Sequence, residues 1–263
     1  MKIFIMTDLE GATGVAGDWR DFNPGGKEHE SARRLLTGDV NAAIGGAFEE
    51  RVDDIVVLDG HGAAFSVILE DLDPRAQLIR GRRLFELEGL DESFDLMFAV
   101  GAHSMAGTLD GILAHTLSHT GIDNIWLNEQ LVGEIGLWAA LASLYDVPLA
   151  LVTGDSAAVR EAEALLENVE TAAVKEATSR FAAKCLHPQM SWKLIRDASR
   201  RAVSKTGEFC PYKPRLPMEL RVEYHDSERA EGISQRKGVT RIDGRTVSFR
   251  GSNILEIYET LLK

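Results

Sequence analysis

The chain has 263 residues, 44% of them hydrophobic and 27% charged, which suits one large domain or a main domain with an appendage. A formal net charge of −12 argues against a nucleic-acid or anionic-membrane surface, since both need clustered Lys and Arg. No apolar run approaches the ~20 residues that span a bilayer, Cys185 and Cys210 are too few for a disulfide framework, and Asp8 and Glu10 cut short the N-terminal apolar run, so a cytoplasmic protein is expected.

Ile3, Phe4, Ile5 and Met6 form an apolar run of the length of a buried parallel strand. It breaks into Asp8-Leu9-Glu10-Gly11, whose two carboxylates project to the same side of extended backbone. They lie at the carboxyl end of a first strand, where open α/β sheets place their ligands. Like charges this close call for a counter-charge, and a metal ion supplies one. Asp18 to Lys27 is polar with a Pro24-Gly25-Gly26 turn signal. A helix is expected from His29 to about Glu50, where Val40, Ala43, Ile44, Ala47 and Phe48 recur at helical spacing. Asp54 to Asp59 reads as a second buried strand ending in Gly60-His61-Gly62. Strand, helix, strand is the βαβ unit, so the two strands run parallel and His61 leaves the sheet at the same edge as Asp8.

Arg80, Arg82 and Arg83 read as a solvated turn. A third strand, Leu96 to Val100, ends in Gly101-Ala102-His103, and Ile112 to Thr116 carries His115 with His119 four residues on. Asp123 to Leu127 reads as a strand with a turn at Asn128-Glu129, followed by a helix from Gly133 to Tyr145 with Glu134 in its first turn. Pro148 to Val152 is a further strand, and Gly154-Asp155 caps a helix bearing Ala158, Ala162, Leu165 and Leu166. Beyond Asn168 come a strand at Val169 to Ala173, a helix at Trp192 to Val203 and a half-exposed strand at Leu220 to Tyr224. A loop with a hairpin at Ala230 to Thr246 and a closing helix at Asn253 to Leu262 follow. The expected fold is α/β, three layers about a mostly parallel sheet. Residues 1–190 would form the metal-binding catalytic domain and 191–263 a smaller α+β region.

Three buried-strand runs end in metal-ligating side chains: Asp8 with Glu10, His61, and His103. Parallel topology brings all three ends to one edge. Glu134, opening a helix at that edge, adds a carboxylate. This mixed nitrogen and oxygen set suits zinc, manganese or iron rather than calcium. Five ligands exceed the need of one tetrahedral zinc, so two ions sharing a carboxylate, ~3.5–4 Å apart, are the economical reading. From the residues alone a metal-dependent hydrolase is expected, and nothing finer. Gly11 to Gly17 is glycine-rich but lacks G-x-G-x-x-G, and no G-x-S-x-G elbow occurs.

The segments M-T-D-L-E-G-A-T-G, V-L-D-G-H-G, G-A-H-S, A-H-T-L-S-H, L-N-E-Q-L-V-G-E-I-G-L, V-T-G-D and A-A-V-K…A-A-K-C-L-H-P occur in that order from Met1 to about Pro188. The ordered set resembles the zinc D-aminopeptidases of peptidase family M55. That resemblance implies that Asp8 bridges two zinc ions, one completed by Glu10 and His103 and the other by His61 and Glu134. It implies His115 as the nucleophile, short D-configured peptides as substrates, and a ring-stacked homodecamer enclosing the active sites. The chain departs from the family pattern at Gly60, where D-S-H becomes D-G-H, and at Ala114-His115-Thr116, where S-H-S becomes A-H-T. Two other readings stand beside it: a two-metal hydrolase of another amide or a phosphoester, and a non-catalytic small-molecule binder on the same scaffold.

Overall fold

In the computed structural model, residues 1–62 and 65–263 are described. In chain order they form β1 (Lys2–Thr7), α1 (Trp19–Phe22), α2 (His29–Ala47), β2 (Asp54–Asp59), β3 (Gln77–Ile79), β4 (Leu96–Ala102), β5 (Ile122–Leu127) and β6 (Gln130–Leu131). There follow α3 (Glu134–Ala142), β7 (Leu149–Asp155), α4 (Ser156–Leu165), β8 (Glu170–Ser179), β9 (Ala182–Cys185) and α5 (Pro188–Ser204). The chain closes with β10 (Met218–Tyr224), α6 (Ser227–Ser234), β11 (Thr240–Arg241), β12 (Thr246–Gly251) and α7 (Ile254–Leu262).

The principal sheet has the order β3-β2-β1-β4-β7-β8-β9 and is parallel except for β9. The apolar run Ile3 to Met6 within β1 follows from cover on both faces. Ile3 and Ile5 point to one side, where Leu36, Val40 and Ile44 of α2 and Ile195 and Ala198 of α5 complete one core cluster. Phe4 and Met6 point to the other, into a cluster built with α3, α4, α7 and the second sheet. The closing helix α7 is capped by Asn253, whose side chain accepts from Leu255 N–H at 2.9 Å. These layers are the three-layer architecture read from the sequence.

The second sheet, β11-β12-β10-β5-β6, is antiparallel. Its β5 and β6 come from residues 122–131, while α5, which spans residue 190, joins the α2 layer through Ser199 Oγ donating to Ala43 O at 2.6 Å. Within the expected loop after Ala230 lies most of α6. It buries only Ala230 and Ile233, too few apolar positions to announce a helix, and depends on the Asp226 carboxylate accepting Arg229 N–H at 2.8 Å. Among the described residues no helix is long and apolar enough to cross a membrane.

Connections run from β1 to β2 on one side and later to β4 on the other, so the strand order reverses at β1, the crevice where such sheets bind ligands. Thr7 is level with both Asp59 and Val100, which sets the three strand ends side by side. Asp8 N–H then bonds Val100 O at 2.9 Å, and Gly11 N–H bonds Gly101 O at 2.8 Å. Gly101 has φ +81°, and a Cβ there would lie 2.1 Å from Asp8 O. Gly101→Ala should therefore cost about 3 kcal/mol or more in urea unfolding. Gly107→Ala, at φ +82° but with nothing within 4 Å, should cost only about 1–2 kcal/mol.

Candidate metal centre

Asp8, buried at the end of β1, turns one carboxylate oxygen toward each neighbouring strand. Its Oδ1 lies 3.2 Å from His61 Nδ1 after β2, and its Oδ2 lies 3.2 Å from His103 Nε2 after β4. Glu10 Oε2 is 2.8 Å from the same His61 nitrogen, and Glu134 Oε1 is 3.2 Å from the same His103 nitrogen. All five residues named by sequence reading thus meet at one place. Donor atoms of Asp8, Glu10 and His103 lie within 4.8 Å of one another, as do those of His103, His115 and Glu134.

The chemistry of this set calls for a cation. Three carboxylates are buried or nearly so, and Asp8 Oδ2 and Glu10 Oε2 accept no hydrogen bond. Burial and the neighbouring Glu10 charge push Asp8 up to about 7. Burial also opposes charge on His61 and His103, yet the carboxylates beside them outweigh it and raise both well above the ordinary imidazole value. A divalent ion would fit here because it neutralises the carboxylates without those protons. His103 Nδ1 faces the Ser104 carbonyl at 3.0 Å, which can only accept, so Nδ1 carries the proton and Nε2 offers a lone pair inward.

His115 behaves differently. Its ring stacks on His103 with centroids 4.0 Å apart and planes 11° from parallel. Burial and the His103 charge push its pKa down to about 4, so it is neutral at pH 7. Nδ1 donates to Leu113 O at 2.8 Å, which leaves Nε2 unprotonated. The segment is held in an unusual backbone course, with Leu113 at φ +55° and Leu117 at φ +60°; bulky residues adopt such angles at a cost. Leu117 N–H bonds Glu134 Oε1 at 2.7 Å, tying this segment to the start of α3.

The D-aminopeptidase profile of peptidase family M55 matches residues 1–263. A D-aminopeptidase from Bacillus subtilis (strain 168) is 33% identical over 265 residues, covering 100% of this chain and 96% of that protein. The solved structure of the Zn-dependent D-aminopeptidase DppA from Bacillus subtilis, described as a self-compartmentalizing protease, superposes with a TM-score of 0.94. It is 34% identical, with 100% of this chain and 96% of that one covered. The chain belongs to the M55 D-aminopeptidase family. It is therefore a peptidase, a hydrolase, on a family fold.

Around the metal centre this family member carries residues that sequence reading did not single out. Lys175 on β8 is buried and donates to the carbonyls of Glu10, Ala12 and Val15 at 2.5, 2.8 and 2.6 Å. Burial pushes its pKa down to about 8, against the opposing charge of Asp155. Asp39 of α2 secures the same loop by accepting Thr13 N–H at 2.7 Å. Glu161 of α4 accepts Met105 N–H at 2.7 Å and faces the Gly133 N–H, bracing the segments that carry His103 and Glu134. Trp19 stacks on His119 at 4.2 Å and meets His115 edge-on at 5.8 Å. His119 thereby joins the cavity wall. Of these, Lys175 shows in the sequence only as the lysine that follows the apolar Ala172–Val174 run, with Glu176 after it. Lys175→Met should lower stability by about 2–4 kcal/mol in urea unfolding. It should also weaken zinc uptake in a competitive chelator titration, because the Glu10 backbone loses its anchor.

Proposed function

We propose that this chain is a dinuclear zinc aminopeptidase releasing N-terminal D-configured residues from short peptides. The observation that carries the reading is Asp8, whose two oxygens face two different imidazoles at the switch point of the sheet. A carboxylate so placed suits bridging between two ions. On this reading Glu10 and His103 complete one site and His61 and Glu134 the other; the mutual proximity of Asp8, Glu10 and His103 donors supports the first. When bound, such a pair holds the free amine and polarises the scissile carbonyl.

The chain's own groups then have defined tasks. His115, neutral and with Nε2 unprotonated, is the nucleophile or general base. The Leu113 carbonyl fixes its tautomer, and the ring stacked on His103 keeps it beside the metal centre. The cavity of about 790 Å³ above these residues holds a short peptide. Preference for the D-configuration and self-compartmentalising homo-oligomerisation, in the decameric form, rest on likeness to the family and to DppA.

The test is amino-acid release from matched D- and L-configured dipeptides, together with metal analysis. The zinc-loaded protein should contain two ions per chain, cleave free-amino D-dipeptides, lose activity to a chelator and regain it with zinc. His115→Ala should lower kcat by about 100-fold to 10,000-fold while retaining zinc. Asp8→Ala should lose both zinc and activity. One ion per chain would end the dinuclear reading, preference for L-peptides the D-specificity, and no release at all the aminopeptidase assignment.

A further inference from the structure

The arginine run that reads as a solvated turn in sequence lies in the wall of the same cavity as the metal centre. Arg82 and Arg83 both line it, together with Phe65 and Tyr258. Arg80 turns aside, its guanidinium 4.7 Å over the Phe65 ring. Arg83 Nη2 donates to Gly60 O at 2.6 Å, which fixes its guanidinium one residue from His61, and its Nη1 is buried without a hydrogen bond. Arg82 is exposed to the cavity.

Neither arginine forms an ion pair among the described residues; Arg83 feels the charge of Asp59, and the acids nearby make their hydrogen bonds to other groups. Glu86 accepts from Trp138 Nε1 at 3.2 Å and from Tyr258 Oη at 3.0 Å. Glu88 accepts Leu84 N–H at 2.6 Å, and one oxygen of Asp59 takes the Ser66 and Val67 N–H groups at 2.7 and 2.8 Å. The buried Arg83 Nη1 thus lacks an acceptor, and the exposed Arg82 beside it adds a second guanidinium, so an anion placed between them would satisfy both.

We infer that Arg82 and Arg83 receive the terminal α-carboxylate of the substrate, so that the site selects short peptides with a free C-terminus. This rests on the aminopeptidase reading, which sends the free amine to the carboxylate-rich floor and leaves the far end of a short peptide for the arginines. A guanidinium fork matches a carboxylate in shape and charge, and an amide cannot replace that pairing. Arg83 is held in place by Gly60, while Arg82 is free to close on the bound peptide.

The experiment compares kcat/KM for a D-dipeptide and for its C-terminal carboxamide. The proteins are the zinc-loaded parent, Arg82→Ala, Arg83→Ala, Arg83→Lys and the double alanine variant, with zinc content measured for each. The parent should prefer the free acid by about tenfold to a hundredfold, through KM. That ratio should fall toward one in the double variant and be partly kept in Arg83→Lys. Should the double variant lose zinc, Arg82→Ala decides, since that side chain is exposed and bonds nothing. Equal turnover of acid and amide by the parent, or an unchanged ratio in zinc-replete variants, would overturn the inference and leave the aminopeptidase reading standing. Absence of turnover of both substrates by the parent would remove both.

Discussion

Three carboxylates crowded at the ends of adjacent parallel strands are the constraint on which the rest of this structure depends. Asp8, Glu10 and Glu134 meet where water is largely excluded, and their mutual repulsion is strong there. Such a cluster persists only if positive charge is held among the acids. His61 and His103 stand ready for that role, each nitrogen within 3.2 Å of two carboxylates. A divalent ion at this place would take over the role of those protons, and its binding would release them.

Holding the carboxylates in place is a matter of backbone rather than of side-chain packing. The loop after β1 leaves the sheet with carbonyls that no strand partner satisfies, and the Lys175 ammonium collects three of them. Its charge also acts on the Glu10 carboxylate, after those of Asp155 and Asp39. Glu161 makes the corresponding brace on the other side, from α4 to the segments following β4 and preceding α3. The site is thus tied to β8 and α4 as firmly as to its own strands, and a change in either is felt at the ligands.

Much of this was legible in the sequence, for definite reasons. Strands covered on both faces are unbroken apolar runs, so β1, β2 and β4 stand out, and parallel topology then carries Asp8, His61 and His103 to one edge. Lys175 was hidden because β8 is irregular: Ala173 pairs with Gly154 but Lys175 with Asp155, so one extra residue turns the lysine inward against the strand's alternation. Trp19 and the arginines were hidden because their meaning lies in contacts with segments tens of residues away. The pairing of the second sheet was hidden for a similar reason, since β5 pairs with β10 across nearly a hundred residues of chain.

The two histidines at the centre of the site show how environment assigns a role to one residue type. His103 and His115 stack face to face 4.0 Å apart, and both are buried. His103 points Nε2 between two carboxylates and is driven toward the protonated form. His115 has only a backbone carbonyl for a partner and a charged ring against its face, so it is driven toward the neutral form. The same carboxylates thus set the two histidines apart: they favour charge on His103, while burial and that neighbouring charge keep His115 neutral.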